Sequence, residues 1–311
     1  MEVVKRRAVK TLVTKLTSVS EQTRTEALCE LRLLSKNDAE SRPLIAEADA
    51  VTLIAESLYS PVPILQENAT ATLLNLSISS KDHLMSSHGV LDALSHSLRH
   101  PATPFVAQCA AATIFSLVSV ESFRPIIGHK RDIIFGLVEI VRNQGSAARS
   151  IKDALRALFG IALYPLNRSQ MVELGAVQAL FSLVVKDGRV GLVEDATAVI
   201  AQVAGCEESW EVFKKALGIE VLMDLLDNST GSSYRTKENA VAALLNMVLC
   251  GGDEVANDVR GKIEVRVVDG IVDVAENGSE KGKSKALELL KIVDAASARD
   301  GRLEPLSSYS S

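Results

Sequence analysis

The side chains in this sequence with the best spacing for a metal ion are four histidines, at positions 83, 88, 96 and 100. His96 and His100 stand four residues apart, a separation that places two imidazoles on one face of a helix, as in a zinc pair. No third ligand follows at a fixed spacing, and serine, leucine and arginine fill the gap between them. We therefore interpret His83, His88, His96 and His100 as a solvated helix edge, and we expect no metal and no other cofactor.

Other residues with catalytic potential lack the neighbours that catalysis needs. The sequence contains no phosphate-binding loop, no nucleophile elbow and no paired acids in a pocket-forming context. Its four cysteines (Cys29, Cys109, Cys206 and Cys250) lie far apart without a CxxC pair. That pattern is typical of buried thiols in a reducing compartment. We expect a non-catalytic protein of the cytoplasm, the nucleus or both.

Charge and hydropathy argue against two classes of partner. The net charge is −5; residues 1–150 carry 16 basic and 15 acidic side chains, and residues 151–311 carry 18 and 24. These counts indicate no large basic surface, so we expect no nucleic-acid partner. The longest nearly apolar run, around residues 109–120, is far shorter than the roughly 20 residues of a membrane span. Because the first ten residues also lack the apolar stretch of a signal peptide, we expect no membrane partner.

The elements that must position any site are amphipathic helices with a long period. In residues 66–78, Ala69, Leu73 and Leu76 share one face of a helix, because they are separated by four and three residues. The same set occurs seven times, at Ala27/Leu31/Leu34, Ala69/Leu73/Leu76, Ala110/Ile114/Leu117, Ala154/Leu158/Ile161, Ala196/Ile200/Val203, Ala240/Leu244/Met247 and Ala286/Leu290/Val293. A small residue on a packed face lets a neighbouring helix approach closely. The pattern therefore predicts long helices stacked on one another about every 43 residues.

A second set of markers indicates where another helix of each unit begins. Gly89, Gly175 and Gly218 each precede an aliphatic helical segment, and Asp49 and Asp132 hold the corresponding places in other copies. Glycine, and less often aspartate, tolerates a left-handed backbone between two helices, so we expect that conformation there. Each unit then holds at least two substantial helices with a shorter segment between them. Periods of this length predict an all-α fold, an α-solenoid.

Four segments carry a resemblance to a known family: QENATATLLNLSI, EALCELRLLSK, ELGAVQALFSL and KENAVAALLNMVLC. They resemble armadillo repeats and, more narrowly, the armadillo region of plant U-box ubiquitin ligases, from about residue 10 to about residue 249. The resemblance implies a right-handed solenoid of about six to seven repeats. We expect a cap helix or partial repeat at 1–19, a repeat array at 20–298 with an irregular last unit from about 253, and a disordered tail at 299–311.

The resemblance also implies a site. In that family the third helix of each repeat lines a concave groove, where an asparagine clamps the backbone of an extended peptide. The matching position, six residues after each marker alanine, is held by Leu33, Asn75, Ser116, Gly160, Gln202, Asn246 and Ile292. Only Asn75 and Asn246 keep the asparagine; we expect Ser116, Arg156 and Gln202 to line the groove beside them. The alternative is that the asparagines bond to internal carbonyls or face water.

Nuclear-import receptors of this family carry tryptophans four residues before the asparagine, and Ala71 and Ala242 occupy those places here. A receptor of that kind is therefore disfavoured. We expect instead a scaffold that holds an extended or helical segment of another protein, of which a substrate adaptor in a ubiquitin pathway is one form. The alternative is the substrate-recognition part of a U-box ubiquitin ligase. Since no U-box-like segment precedes or follows the array in this sequence, we expect no ligase activity from the chain itself. The oligomeric state stays open.

Overall fold

The computed structural model describes residues 2–143 and 145–300, with side chains up to residue 293. All regular elements within these ranges are helical. The α-helices described are α1 (Glu2–Leu16), α2 (Glu21–Asn37), α3 (Ser41–Glu47), α4 (Ala50–Glu56), α5 (Pro63–Leu76), α6 (Lys81–Ser86), α7 (Val90–Arg99), α8 (Pro104–Val118), α9 (Arg124–Gly128), α10 (Arg131–Arg142), α11 (Ala148–Ala162), α12 (Arg168–Glu173), α13 (Ala176–Lys186), α14 (Val190–Val203), α15 (Ser209–Lys215), α16 (Gly218–Leu226), α17 (Tyr234–Lys262), α18 (Val265–Asn277) and α19 (Glu280–Asp300). Short 3-10 helices cover Ser57–Tyr59, Glu121–Phe123, Pro165–Asn167 and Asn228–Thr230.

After α1 the helices follow one repeating order: a long helix, a short helix of 5 to 7 residues and a third helix of 7 to 13 residues, here called the intermediate helix. The long helices are α2, α5, α8, α11, α14, α17 and α19, and each carries one marker alanine. The chain forms two compact units, Met1–Tyr164 and Pro165–Ser311. Within the first unit, α2 packs on α5, α5 on α8 and α8 on α11; within the second, α14 packs on α17 and α17 on α19. The predicted stacking of long helices is therefore present inside each unit.

The core of each unit follows the predicted faces. All seven marker alanines are fully buried, and in α5 both Leu73 and Leu76 are also completely shielded from solvent. The exceptions are Leu34 in α2 and Leu290 and Val293 in α19, which are half-buried. These residues belong to α2 and α19, the first and last of the long helices in chain order.

Local chemistry sets the starts of three long helices. The Ser20 side chain accepts a hydrogen bond from the Thr23 backbone N–H at 3.3 Å and so caps the start of α2. Pro63 and Pro104 occupy the first turns of α5 and α8. Proline is favoured there because the first backbone N–H groups of a helix have no intrahelical acceptor.

The left-handed backbone before the intermediate helices is confirmed at three of five predicted positions. Asp49 has φ 57°, Gly89 has φ 78° and Gly175 has φ 80°, each directly before its helix. The prediction was wrong for Asp132, which lies in the first turn of α10 after an extended Lys130. There the link from α9 to α10 is made by extended backbone, so no left-handed residue is needed.

The prediction was also wrong for Gly218, for a different reason. The left-handed residue at this junction is Leu217, with φ 52°, and Gly218 is the first residue of α16. A Cβ atom on Gly218 would lie 2.5 Å from Cε2 of Phe181. Glycine is required at this position by the close approach of an aromatic ring rather than by the sign of φ.

The region expected to be irregular keeps the helical order of the other repeats. The long helix α17 is broken at Gly252 (φ 66°, ψ −155°), so its residues after the break take the place of the short helix. The intermediate helix α18 and the long helix α19 follow. The irregular feature of this repeat is therefore that its long and short helices are joined directly at Gly252, with no loop between them. Helix α19 extends to Asp300, and residues 301–311 of the predicted tail lie outside the described residues.

Among the helices that the structure describes, no single one is long and apolar enough to cross a membrane. Within the described ranges, one bent pair, α8 together with Glu121–Gly128, reaches the length and composition of a span, and its two parts are bent by 117°.

Candidate functional site

The candidate site residues lie on the long helices of both units. Asn75, Ser116 and Arg156 belong to α5, α8 and α11 of the first unit, and Gln202 and Asn246 belong to α14 and α17 of the second. Arg156 is exposed and the other four are half-buried. Because these four hold the same position in their helices, and successive long helices pack side by side within a unit, each unit gathers its own set on one surface. We call these surfaces the long-helix faces.

Asn75 joins two successive long helices of the first unit. Its side-chain Nδ2 donates to Ser35 Oγ at 3.0 Å and to the Arg32 carbonyl at 3.3 Å. Both acceptors lie in the last two turns of α2. Ser35 is fully buried and donates to the same Arg32 carbonyl at 3.0 Å. The amide nitrogen of Asn75 therefore has a structural role.

The same relationship recurs in two further repeats. Asn246 Nδ2 donates to the Ala201 carbonyl of α14 at 2.7 Å, and Ser116 Oγ donates to the Ser77 carbonyl at the end of α5 at 2.9 Å. Across the described residues, the side-chain oxygens of Asn75 and Asn246 receive no hydrogen bond. Each amide thus fixes its orientation through nitrogen and leaves its oxygen as an acceptor on the long-helix face. A role of either asparagine in clamping a peptide stays a prediction.

Gln202 is held by an arginine that the sequence patterns did not single out. Arg168, on the short helix α12, donates from NH2 to Gln202 Oε1 at 3.2 Å and from NH1 to the Gly205 carbonyl at 3.3 Å. Burial lowers the pKa of Arg168 from its usual value. A Cβ on Gly205 would lie 3.0 Å from NH1, so the glycine gives the guanidinium its place against the backbone.

These residues surround a pocket in the second unit with a volume of about 440 Å³. Its lining is Arg168, Gln202, Gly205, Asn246, Leu249, Cys250 and Lys285. The lining carries two cationic side chains and no carboxylate. The structure therefore brings Gln202 and Asn246 together, as expected, and adds two basic residues from α12 and α19.

The long-helix face of the first unit carries aromatic rings paired with arginines. The Arg156 guanidinium lies 5.6 Å from the ring centre of Phe115, which is 38% exposed. Arg32 lies 5.3 Å from the ring centre of Phe105 and donates to the Asn68 side-chain oxygen at 3.0 Å. Both arrangements fit cation–π contacts. Phe115 and Phe105 were not expected as site residues, because no repeated spacing marks them.

The cysteines divide into two buried and two exposed thiols. Burial raises the pKa of Cys109 to about 11. Burial, together with a hydrogen bond from Cys206 Sγ to Glu208 at 2.9 Å, raises the pKa of Cys206 to about 12. Both buried side chains are therefore thiols rather than nucleophilic thiolates at neutral pH. Cys29 and Cys250 are exposed.

The histidine pair packs as aromatic rings. The ring centres of His96 and His100 are 5.3 Å apart, and His96 lies 4.8 Å from Tyr59. Burial lowers the pKa of His96, with the neighbouring His100 as a smaller cause. Over the part of the chain that the structure describes, no group of three or more histidine, cysteine, aspartate or glutamate side chains is placed to hold a metal ion.

Comparison with solved structures defines the class of the fold. An engineered protein aligns with a TM-score of 0.62 and 20% identity, covering 92% of this chain and 78% of its own. A designed armadillo repeat protein aligns with a TM-score of 0.52 and 19% identity, covering 92% of this chain and 99% of its own. With the repeated helical order, this likeness confirms an all-α fold of the armadillo-solenoid class.

Comparison of sequences assigns the chain to one family within this fold class. The sequence model described as "Plant U-box protein ARM repeat region" matches residues 8–305, and the chain belongs to that family. U-box domain-containing protein 16 of Arabidopsis thaliana is 30% identical over 87% of this chain and 39% of its own length. U-box domain-containing protein 18 of the same plant is 28% identical over 95% of this chain and 42% of its own. The chain spans about two-fifths of the length of these two relatives.

Proposed function

We propose that this chain is a non-catalytic module that holds an extended segment of a partner protein on its long-helix faces. The observation that carries the proposal is the half-buried pair Asn75 and Asn246, each with an internally bonded amide nitrogen and an unoccupied amide oxygen among the described residues. The fold supports it, since repeat arrays present extended binding surfaces. A designed armadillo repeat protein similar to this chain (TM-score 0.50, 17% identity) was solved in complex with the peptide (KR)4.

The chemistry of the proposal follows from the amide group. An extended peptide presents a backbone N–H and a carbonyl at every residue, whatever its side chains are. The oxygens of Asn75 and Asn246 accept from such N–H groups. Because the internal hydrogen bonds already fix both rotamers, little side-chain entropy is lost when a peptide binds. Affinity then comes from backbone contacts, and specificity from the side chains around each asparagine.

A second candidate is the substrate-recognition part of a U-box ubiquitin ligase. It is supported by the family match and by the U-box relatives, of which the chain covers about two-fifths. In this case the partner segment belongs to a ubiquitination substrate, and a U-box supplies the transfer. Incubating the chain with ubiquitin, activating enzyme and conjugating enzyme tests its lack of catalysis, which both candidates share. Ubiquitin transfer by the chain itself would contradict the non-catalytic module.

The leading proposal is tested by selecting peptides from a random display library against the full chain. Selected peptides are then measured by fluorescence anisotropy with wild type, Asn75→Ala and Asn246→Ala. We expect at least one substitution to weaken binding about tenfold, the effect of one lost hydrogen-bonded pair on a desolvated backbone group. Asn257→Ala is the matched control, since Asn257 is an exposed asparagine on the segment after the break in α17. Equal affinity for all variants would contradict the proposal.

A further inference from the structure

We infer that the pocket of the second unit binds a carboxylate side chain of the partner segment, with Lys285 as its ion-pair partner. The inference rests on the proposed function and adds the chemistry of the segment. It concerns the pocket lined by Arg168, Gln202, Gly205, Asn246, Leu249, Cys250 and Lys285.

The first argument is charge. Residues 165–311 carry 16 basic and 23 acidic side chains, so a cationic pocket is unusual for this part of the chain. Several of its lysines and arginines are already neutralised, for example Lys214 by Glu211, Lys237 by Asp273 and Lys262 by Glu220. Lys285 is half-buried and forms no ion pair with any described carboxylate.

The second argument is the fixed position of Arg168. Its guanidinium donates to the Gly205 carbonyl at 3.3 Å and to the Gln202 side-chain oxygen at 3.2 Å, and these bonds help to orient it. Its partial burial leaves its charge less screened by water than that of an exposed arginine. A carboxylate that pairs with Lys285 gains this second favourable interaction, whereas a lysine or arginine side chain in the pocket is repelled by both cations.

The third argument is the neighbourhood of the pocket. Asn246 contributes the acceptor oxygen proposed to hold a peptide N–H, so an acidic residue close to the held peptide bond brings its carboxylate to the pocket. Leu249 is 59% exposed and offers apolar surface to the methylene groups of a glutamate or aspartate. Gly205 leaves space in the pocket between Arg168 and Asn246. A Cβ at this position would lie 3.0 Å from Arg168 NH1 and 3.8 Å from the Asn246 Cβ.

The electrostatic part is tested directly with the cysteine that lines the pocket. Cys250 and Cys29 are both exposed, and Cys29 is outside the pocket. The folded chain is treated with an anionic or a cationic methanethiosulfonate, and the labelling rate of each cysteine is followed by peptide mass spectrometry. We expect the ratio of anionic to cationic rates to be several-fold higher at Cys250 than at Cys29, and to fall in Lys285→Gln. Equal ratios, or no change in Lys285→Gln, would overturn the inference.

The carboxylate is tested with the peptides selected against wild type. We expect them to share an aspartate or glutamate at one position, and exchange of that residue for its amide to weaken binding about tenfold, as for one charge-assisted contact. Lys285→Glu should cause a similar loss, while Lys281→Gln, an exposed lysine on the same helix, should leave affinity unchanged. If the selected peptides show no preference for an acidic residue, the inference that the pocket binds a carboxylate is refuted, while the proposed peptide-binding function stands. A library that yields no binding peptide would refute the proposed function as well.

Discussion

Asn246 Nδ2 lies 2.7 Å from the carbonyl oxygen of Ala201, so the side chain of one long helix bonds to the backbone of the long helix before it. Asn75 has the same relationship to Arg32 at 3.3 Å in the first unit. Each asparagine thus links two successive repeats by a hydrogen bond from its amide nitrogen, while its amide oxygen stays on the surface. This double use explains how a residue suited to binding a peptide also belongs to the packing of the array.

The first prediction compares a core leucine with the neighbouring asparagine. Leu73→Ala opens a cavity at a fully buried site of α5, and we expect it to lower the free energy of unfolding by about 2–5 kcal/mol. Asn75→Ala removes the bonds to α2 from a half-buried residue and should cost roughly 1 kcal/mol. Urea unfolding followed by circular dichroism measures both. Leu33→Ala, at a 52% exposed leucine, is the control and should cost little. A larger loss for Asn75→Ala than for Leu73→Ala would contradict the assigned helix faces.

A second prediction concerns glycines that allow helices to approach. A Cβ on Gly270 would lie 1.9 Å from the backbone oxygen of Leu226, so the backbone itself must move. We expect Gly270→Ala to destabilise the second unit by about 1–3 kcal/mol or more. Gly261→Ala, whose new methyl meets no atom within 4 Å, should instead stabilise it by roughly 0.5 kcal/mol. Thermal unfolding of the two variants checks the sign, and equal effects would show that space is not what selects glycine at 270.

The third prediction uses the one leucine among the described residues with a left-handed backbone. Leu217 has φ 52° and a 63% exposed side chain, so it loses little packing when it is shortened. Leu217→Gly should stabilise the chain by roughly 1 kcal/mol, because a left-handed conformation strains residues with a Cβ. The reverse exchange, Gly89→Ala, meets no neighbouring atom and should destabilise by a similar amount. Unchanged unfolding midpoints in both variants would rule out strain at these junctions.

The fourth prediction is a pH dependence in the second unit. A hydrogen bond from Lys237 Nζ at 2.9 Å lowers the pKa of Asp273, with smaller contributions from Asn277 and Tyr234. As pH falls through about 4, the unfolded chain binds a proton at this carboxyl before the folded chain does, so folding stability is lost. The stability difference between wild type and Asp273→Asn should therefore shrink between about pH 6 and about pH 3.

Urea titrations of wild type and Asp273→Asn at a series of pH values provide the measurement. Asp269→Asn, at an exposed aspartate on the same helix that makes no described hydrogen bond, serves as the control. A difference between wild type and Asp273→Asn that stays constant across this range would show that the Lys237–Asp273 pair adds no pH-dependent stability.

The period of the pattern and the burial of its faces were predictable because both are local properties. A helix that repeats its small and large apolar residues at fixed spacing must bury that face, and Ala69, Leu73 and Leu76 do so completely. The cap at Ser20 was predictable for the same reason, since its partner is three residues away. The reason for a glycine at position 218 was not predictable from the sequence. The ring that leaves no room for a Cβ there belongs to Phe181, on another helix.

The sequence by itself determined the all-α armadillo class, the stacking of long helices and the helix position that Asn75 and Asn246 share. Only the tertiary structure decided what these side chains contact. The acceptors of Asn75 and Asn246 lie on other helices, 40 to 45 residues away. The pocket takes Arg168 from a short helix and Lys285 from the last long helix. Helical periodicity reports which face of one helix is apolar. It carries no information about which atoms of a neighbouring helix come within hydrogen-bond distance, because the packing of the two helices sets that distance.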